Sequence, residues 1–206
     1  QALQHRATVI VDNVVEKGEA DFVEEIAAEL PLQAIAEIMG VPQEDRRKLF
    51  EWSNRMVGAG DPEYQDNDQQ GAFVELFAYS NELAALRRED PRDDIVTKLL
   101  NAEIEGEQLS ELEFDMFMLL LTVAGNETTR NATSAGMHAL LTHPDEMSRF
   151  LGHLDDDGYR SAALDEVLRW ATPVLHFRRT AAVDTEIRGR EIAAGDKVLI
   201  WHVSAN

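Results

Sequence analysis

Cysteine is missing from the 206 residues of this chain. A disulfide framework, a zinc–thiolate centre and a thiol nucleophile built from these residues are therefore excluded. Positive charge is scarce. Only 19 Lys and Arg stand against 39 Asp and Glu, a formal net charge of −20 at pH 7. That balance argues against nucleic acid as a general partner, because binding phosphates needs clustered cations. Long hydrophobic runs are lacking too. The longest mostly apolar stretch, 116–125, is half the length a membrane span requires. No leader pattern opens the chain at Gln1, so the expectation is a soluble, cytoplasmic protein. What the chain does have is a 44% hydrophobic fraction, enough to fill a core.

Helical spacing dominates the pattern. Leu3, Ala7, Ile10, Val11 and Val14 share one face of a helix over 2–16, ended by Lys17-Gly18. A short extended piece is expected at Asp21-Phe22-Val23. The run 24–40 reads as a helix that Pro31 kinks or breaks. Leu49, Trp52, Met56 and Val57 set the apolar side of a helix over 42–58. The segment 58–71 is rich in Gly, Asp, Asn and Gln and reads as an exposed loop. Helices over about 72–88 and 93–104 follow, with a turn at Glu105-Gly106. Ser110 and Glu113 make a capping box opening a long central helix that runs to about Leu141. Short helices are expected from Pro144 and over 161–171, separated by a loop at 155–158. Beyond that, VDTEI, REI and KVLIWHV alternate like strands, with turns at Arg188-Gly189 and Ala194-Gly195. The fold class is mainly α, a long central helix with a small terminal β-sheet.

The central helix is interrupted by AGNETTRN, 124–131, in the midst of its most apolar part. In steps of three and four its expected buried stripe reads Phe114, Met118, Leu121, Gly125, Thr128, Ala132, Ala135, Ala139. Bulk gives way to glycine, a hydroxyl and alanines, which leaves space beside Gly125 and Thr128. The carboxylate of Glu127 is next to that gap, and a buried acid and alcohol can relay protons. A plainer alternative stands beside this one. Thr128 can bond back to the carbonyl one turn earlier, and Gly125 can simply admit a neighbouring helix.

The motif A-G-x-E-T in mid-helix resembles the oxygen-binding groove of cytochromes P450. A second motif of that family, E-x-x-R, falls downstream at Glu166-Val-Leu-Arg169. After it, WATPVLHFRRTA and the strand-like run to Asn206 are similar to the family's helix, turn and small sheet preceding the haem loop. The pieces LPLQAIAEIMGVPQEDR, AGNETTRN and EVLRWATPV look most like actinobacterial members that oxidise the terminal methyl of a sterol side chain, the cholestenone 26-hydroxylase type.

The resemblance implies a haem-thiolate monooxygenase that hydroxylates a hydrophobic substrate such as a sterol side chain. Thr128 would be the motif alcohol and Glu127 the acid that helps deliver protons for O–O cleavage. Ala124 and Gly125 would clear the groove for dioxygen, and Arg179 of R-T-A would reach a haem propionate in preference to Arg178. Glu166 and Arg169 would form a buried charge network in the haem-side core. Val123 and Val174 fall where relatives line the substrate cavity, or are plain core. The cofactor would be haem b, its thiolate coming from beyond Asn206, and electrons would come from a ferredoxin or similar carrier. On this reading 1–206 is a partial domain without the N-terminal segment and the haem–cysteine loop, and inactive alone. Two other readings stay open: a non-catalytic helical module for a small apolar ligand, and a family member acting on fatty acids or terpenes.

Overall fold

The computed structural model describes residues 2–58 and 68–206. The chain divides into two units, Gln1–Arg130 and Asn131–Asn206. In the first, α1 (Ala2–Val15) precedes a π-helical turn, Phe22–Ala27, and α2 (Glu29–Met39). Here the expected extended piece is absent. The Asp21 carboxylate accepts from Val23 N at 2.9 Å and Glu24 N at 3.0 Å, so the segment starts a helical turn instead. Pro31 lies in the first turn of α2, where its missing N–H has no helical partner to lose. That is the physical form of the expected break.

A 3₁₀ turn, Gln43–Asp45, leads into α3 (Arg46–Val57). Leu49 and Trp52 are buried as expected, but Val57 is exposed. Much of the expected loop at 58–71 falls outside the described residues. Asp68 caps α4 (Gln69–Glu89) by accepting from Gly71 N at 2.8 Å. The next helix, α5 (Ile95–Leu100), is shorter than the spacing predicts. A two-residue hairpin takes over, β1 (Glu103–Ile104) against β2 (Glu107–Gln108). Its turn has positive φ at both Glu105 and Gly106, the geometry that matches strand twist.

Ser110 and Glu113 then close their capping box, with Ser110 N donating to Glu113 at 2.8 Å. They open α6 (Glu111–Thr142), 32 residues and about 48 Å long at the standard rise. Leu32, Met39, Leu49, Leu76, Val96 and Met118 form the fully buried centre of the first unit, drawn from α2 to α6.

The second unit holds the end of α6, then α7 (Pro144–Gly152) and α8 (Asp157–Ala171). Asp156 caps α8 through Tyr159 N at 3.0 Å, which begins this helix earlier than expected. The expected terminal sheet is two separate antiparallel pairs: β3 (His176–Thr180) with β6 (Lys197–Trp201), and β4 (Thr185–Ile187) with β5 (Arg190–Ile192). Their apolar side chains are largely open to solvent, including Phe177, Leu199, Ile200 and Trp201.

One buried ion pair locks three elements of the first unit. Arg87 of α4 bonds the Asp94 carboxylate and also donates to Gly40 O at 2.7 Å, while Asp94 caps α5 through Thr97 N at 2.8 Å. Burial raises the Asp94 carboxyl, but the hydrogen bonds from Arg87 and Thr97 outweigh it and hold the group below its usual range. Its stabilisation is therefore present above the unfolded value, near pH 4, and is lost as pH falls through the lower folded value. Asp94→Asn strands Arg87 and is expected to cost about 3–5 kcal/mol. Urea unfolding of the complete protein checks this. The difference between the two proteins should also shrink as pH falls below about 4, where the unfolded parent's carboxyl takes up a proton, and vanish once pH passes the lower folded value.

Candidate functional site

The middle of α6 divides by direction. Successive residues turn through 100°, so Ala124 and Thr128 share a line with Phe117 and Leu120, and that face is open. Ala124, Phe117 and Leu120 are exposed, and Thr128 is half-buried. The Thr128 hydroxyl donates to Ala124 O at 3.1 Å, the back-bonded arrangement of a helical threonine.

Gly125 points elsewhere. A Cβ there would lie 2.8 Å from Cδ1 of Ile35, so this glycine admits α2. The buried line in the first unit accordingly runs Phe114, Met118, Thr122, Asn126, and not through Leu121 and Thr128 as the spacing predicts. Val123 is half-buried.

Glu127 faces α3. It pairs with Arg130 at 2.6 Å, and Ser53 Oγ donates to it at 3.4 Å. Arg130 in turn donates to Asn54 Oδ1 at 2.8 Å and lies over the Phe50 ring at 5.2 Å. Glu127 and Thr128 are neighbours in sequence but bond in different directions. Sequence reading missed Arg130, Ser53 and Asn54. The i,i+3 spacing of Glu127 and Arg130 was available as a signal; the α3 partners, more than 70 positions away, were not.

In the second unit, Glu166 and Arg169 of α8 make a two-pronged pair with both bonds at 2.7 Å. Their side chains are 59% and 46% exposed, so the expected buried network is, in this structure, a surface pair. The Arg169 hydrogen bond holds the Glu166 carboxyl below its usual range, and the same bond raises Arg169. Burial here depends on what packs over α8, which an E-x-x-R spacing does not encode. Beside the pair is a cavity of about 420 Å³ between α6, α7 and α8, lined by Gly136, Leu140, Phe150, Val167 and Trp170 among others. No sequence signal marked it.

Arg178 and Arg179 alternate on β3, opposite Leu199 and Val198 of β6. The Arg179 guanidinium sits 5.1 Å from the Phe177 ring centre and donates to Arg178 O, with no carboxylate partner among the described residues. Val174 is half-buried, and its carbonyl lies 3.1 Å from His202 Nδ1.

Residues 33–206 match the cytochrome P450 family model. The chain belongs to the cytochrome P450 family. It is 49% identical over its whole length to a steroid C26-monooxygenase of Rhodococcus jostii, of which it covers 42%. It is 47% identical to the steroid C26-monooxygenase of Mycobacterium tuberculosis, over 99% of this chain and 46% of that one. A methyl-branched lipid omega-hydroxylase of the same organism is 41% identical over the whole chain and is covered to 49%. Among solved structures, a Mycobacterium marinum cytochrome P450 in complex with pseudoionone superposes with a TM-score of 0.89 at 37% identity, covering 98% of this chain and 50% of that one. The chain thus spans about half the length of the curated relatives it matches. Among the described residues no helix is long and apolar enough to cross a membrane.

Membership of the family implies a haem cofactor. A flat apolar ring with anionic edges calls for an open apolar helix face and a guanidinium without a carboxylate partner. The α6 face of Phe117, Leu120 and Ala124 meets the first need and Arg179 the second, each within its own unit. The thiolate is not among these 206 residues.

Gly125→Val is expected to destabilise the complete protein by about 1–3 kcal/mol, because its side chain enters the space of Ile35. Ile35→Ala in the same chain should recover part of that loss in chemical denaturation. No stability loss would show that Gly125 faces open space.

Proposed function

We propose that the chain is part of a haem-thiolate monooxygenase that hydroxylates a hydrophobic substrate, the terminal methyl of a sterol side chain. The observation that supports it most is the division of α6: an open face carrying Ala124 and Thr128, and an acid next to it held by the Arg130 guanidinium and the Ser53 hydroxyl of its own unit. The names of the steroid C26-monooxygenases supply the substrate class. The lipid omega-hydroxylase supports a second reading, oxidation of a branched fatty chain at its end. Both place a terminal methyl at the reacting centre.

Haem iron with a thiolate ligand supplies oxygen activation when bound, the thiolate favouring O–O cleavage. Ala124 and Thr128 would face the oxygen side of that ring, and Arg179 would take a propionate, which a guanidinium suits bidentately. Val123 and Val174 would contribute apolar lining for substrate. Thr128 holds its proton on Oγ and can turn from Ala124 O toward a new acceptor. Glu127 stands behind it as the group that would pass a proton on, held by Arg130 and released when that pair opens. Electrons would come from a ferredoxin or similar donor.

Substrate-induced spin-shift titration of the complete protein tests the substrate. A 3-keto sterol should bind more tightly than a branched fatty acid; the reverse order favours the second reading. Glu127→Gln is expected to slow turnover about a hundredfold, since an amide cannot cycle a proton. Thr128→Ala should keep haem and substrate binding but divert most electrons to hydrogen peroxide. Unchanged coupling of electrons to product in that variant would remove Thr128 from the relay.

A further inference from the structure

Asp115 is a buried carboxylate that the proposed chemistry does not use. It is 7% exposed and sits on α6 between the core residues Phe114 and Met118. Its side chain makes one hydrogen bond, accepting from Asn81 Nδ2 of α4 at 3.0 Å. The same amide nitrogen donates to Phe77 O at 2.9 Å, so both of its protons are committed. Ser80, next to it on α4, is fully buried, and its hydroxyl reaches no partner among the described residues. The cations of α4 are engaged elsewhere or open to solvent. Arg87 is bound to Asp94 and Gly40 O, and Arg88 is exposed. Among the acids of α4, Glu75 is bound to Arg55 and Trp52, while Glu82 and Glu89 are exposed. On α6, Glu113 is closed on Ser110, and Glu111, one turn before Asp115, adds a second negative charge. No ion pair among the described residues includes Asp115.

An anion enclosed by apolar side chains and one neutral donor is costly, and the cost falls on the contact that encloses it. We propose that Asp115 is a proton-operated latch between α4 and α6, slack when the carboxylate is charged and tight when it takes up a proton from solvent. Burial pushes the Asp115 carboxyl above the ordinary aspartate value; the Asn81 hydrogen bond opposes the rise, and Glu111 adds to it. With the folded value above the unfolded one, the stabilisation is fully present below the unfolded value, near pH 4. It is lost as pH rises through the folded value. Asp94 behaves in the opposite sense, because Arg87 holds its folded value low. One helix, α4, therefore carries two contacts of opposite pH response: the Arg87 lock, which acid weakens, and the Asn81 contact, which acid tightens.

Hydrogen exchange of the complete, haem-loaded protein tests the latch, read on α4 peptides from about pH 4 to about pH 8. Exchange is expressed as protection, so the intrinsic pH dependence of amide exchange drops out. The main comparison is with Asp115→Asn, which removes the charge and keeps an acceptor for Asn81. At the alkaline end α4 should exchange about fivefold or more slowly in the variant, which has no buried charge to enclose, and the two proteins should converge near pH 4. A constant ratio at every pH, or faster exchange of the variant at the alkaline end, overturns the proposal. Two further variants leave the carboxyl in place. Asn81→Ala removes the opposing hydrogen bond and should raise the pH at which α4 loosens. Glu111→Gln removes the second charge and should lower it. Shifts in the reverse directions, or none in either variant, overturn the proposal. If Asp115→Asn does not fold, these two shifts decide it.

Discussion

Gly125 and Met118 press one side of α6 against the core of the first unit, and that packing decides what every neighbouring residue can do. A helix gives each residue 100° of arc. With Gly125 committed to Ile35, Asn126 is turned inward, Glu127 toward α3, and Ala124 and Thr128 to the open face. The glycine thus acts at a distance from the chemistry proposed for it. Its missing side chain lets two helices close together, and the closeness fixes the direction of the acid and the alcohol.

The acid's setting follows from that direction. Glu127 lies among Arg130, Ser53 and Asn54, all largely buried, so its charge is balanced inside the unit and away from bulk water. A carboxylate buried without such partners would be costly, and pairing offsets that cost. The same cluster explains why a helix interior tolerates an asparagine, a glutamate and an arginine within five positions. Each polar group of that cluster but one finds a partner, the exception being the amide of Asn126.

Local signals were legible in the sequence. The Ser110–Glu113 box, the turn at Glu105-Gly106 and the strand alternation after 183 depend on residues a few positions apart, and the structure realises them. The interruption at 124–131 was legible as well, because polar residues in an apolar helix need a reason. Its facing was not. The spacing runs through Leu121 and Thr128, whereas the buried positions beside them are the polar Thr122 and Asn126, which a count of apolar residues does not choose. The same limit applies to Glu166 and Arg169. Their spacing fixes that they meet, while their exposure depends on whatever covers α8. Asp21 shows a third kind of limit: its side chain caps a π-helical turn where a short extended piece is expected from the sequence.

The central claim is that the oxygen side of α6 is the line of Ala124 and Thr128, with Gly125 turned away from it. Carbon monoxide titration of the reduced complete protein tests this most directly, comparing Ala124→Leu with Gly125→Ala. The account predicts that Ala124→Leu weakens carbon monoxide binding by about tenfold or more, equivalent to about 1.4 kcal/mol, while Gly125→Ala leaves it near the parent value. Weak binding in Gly125→Ala with normal binding in Ala124→Leu would contradict it.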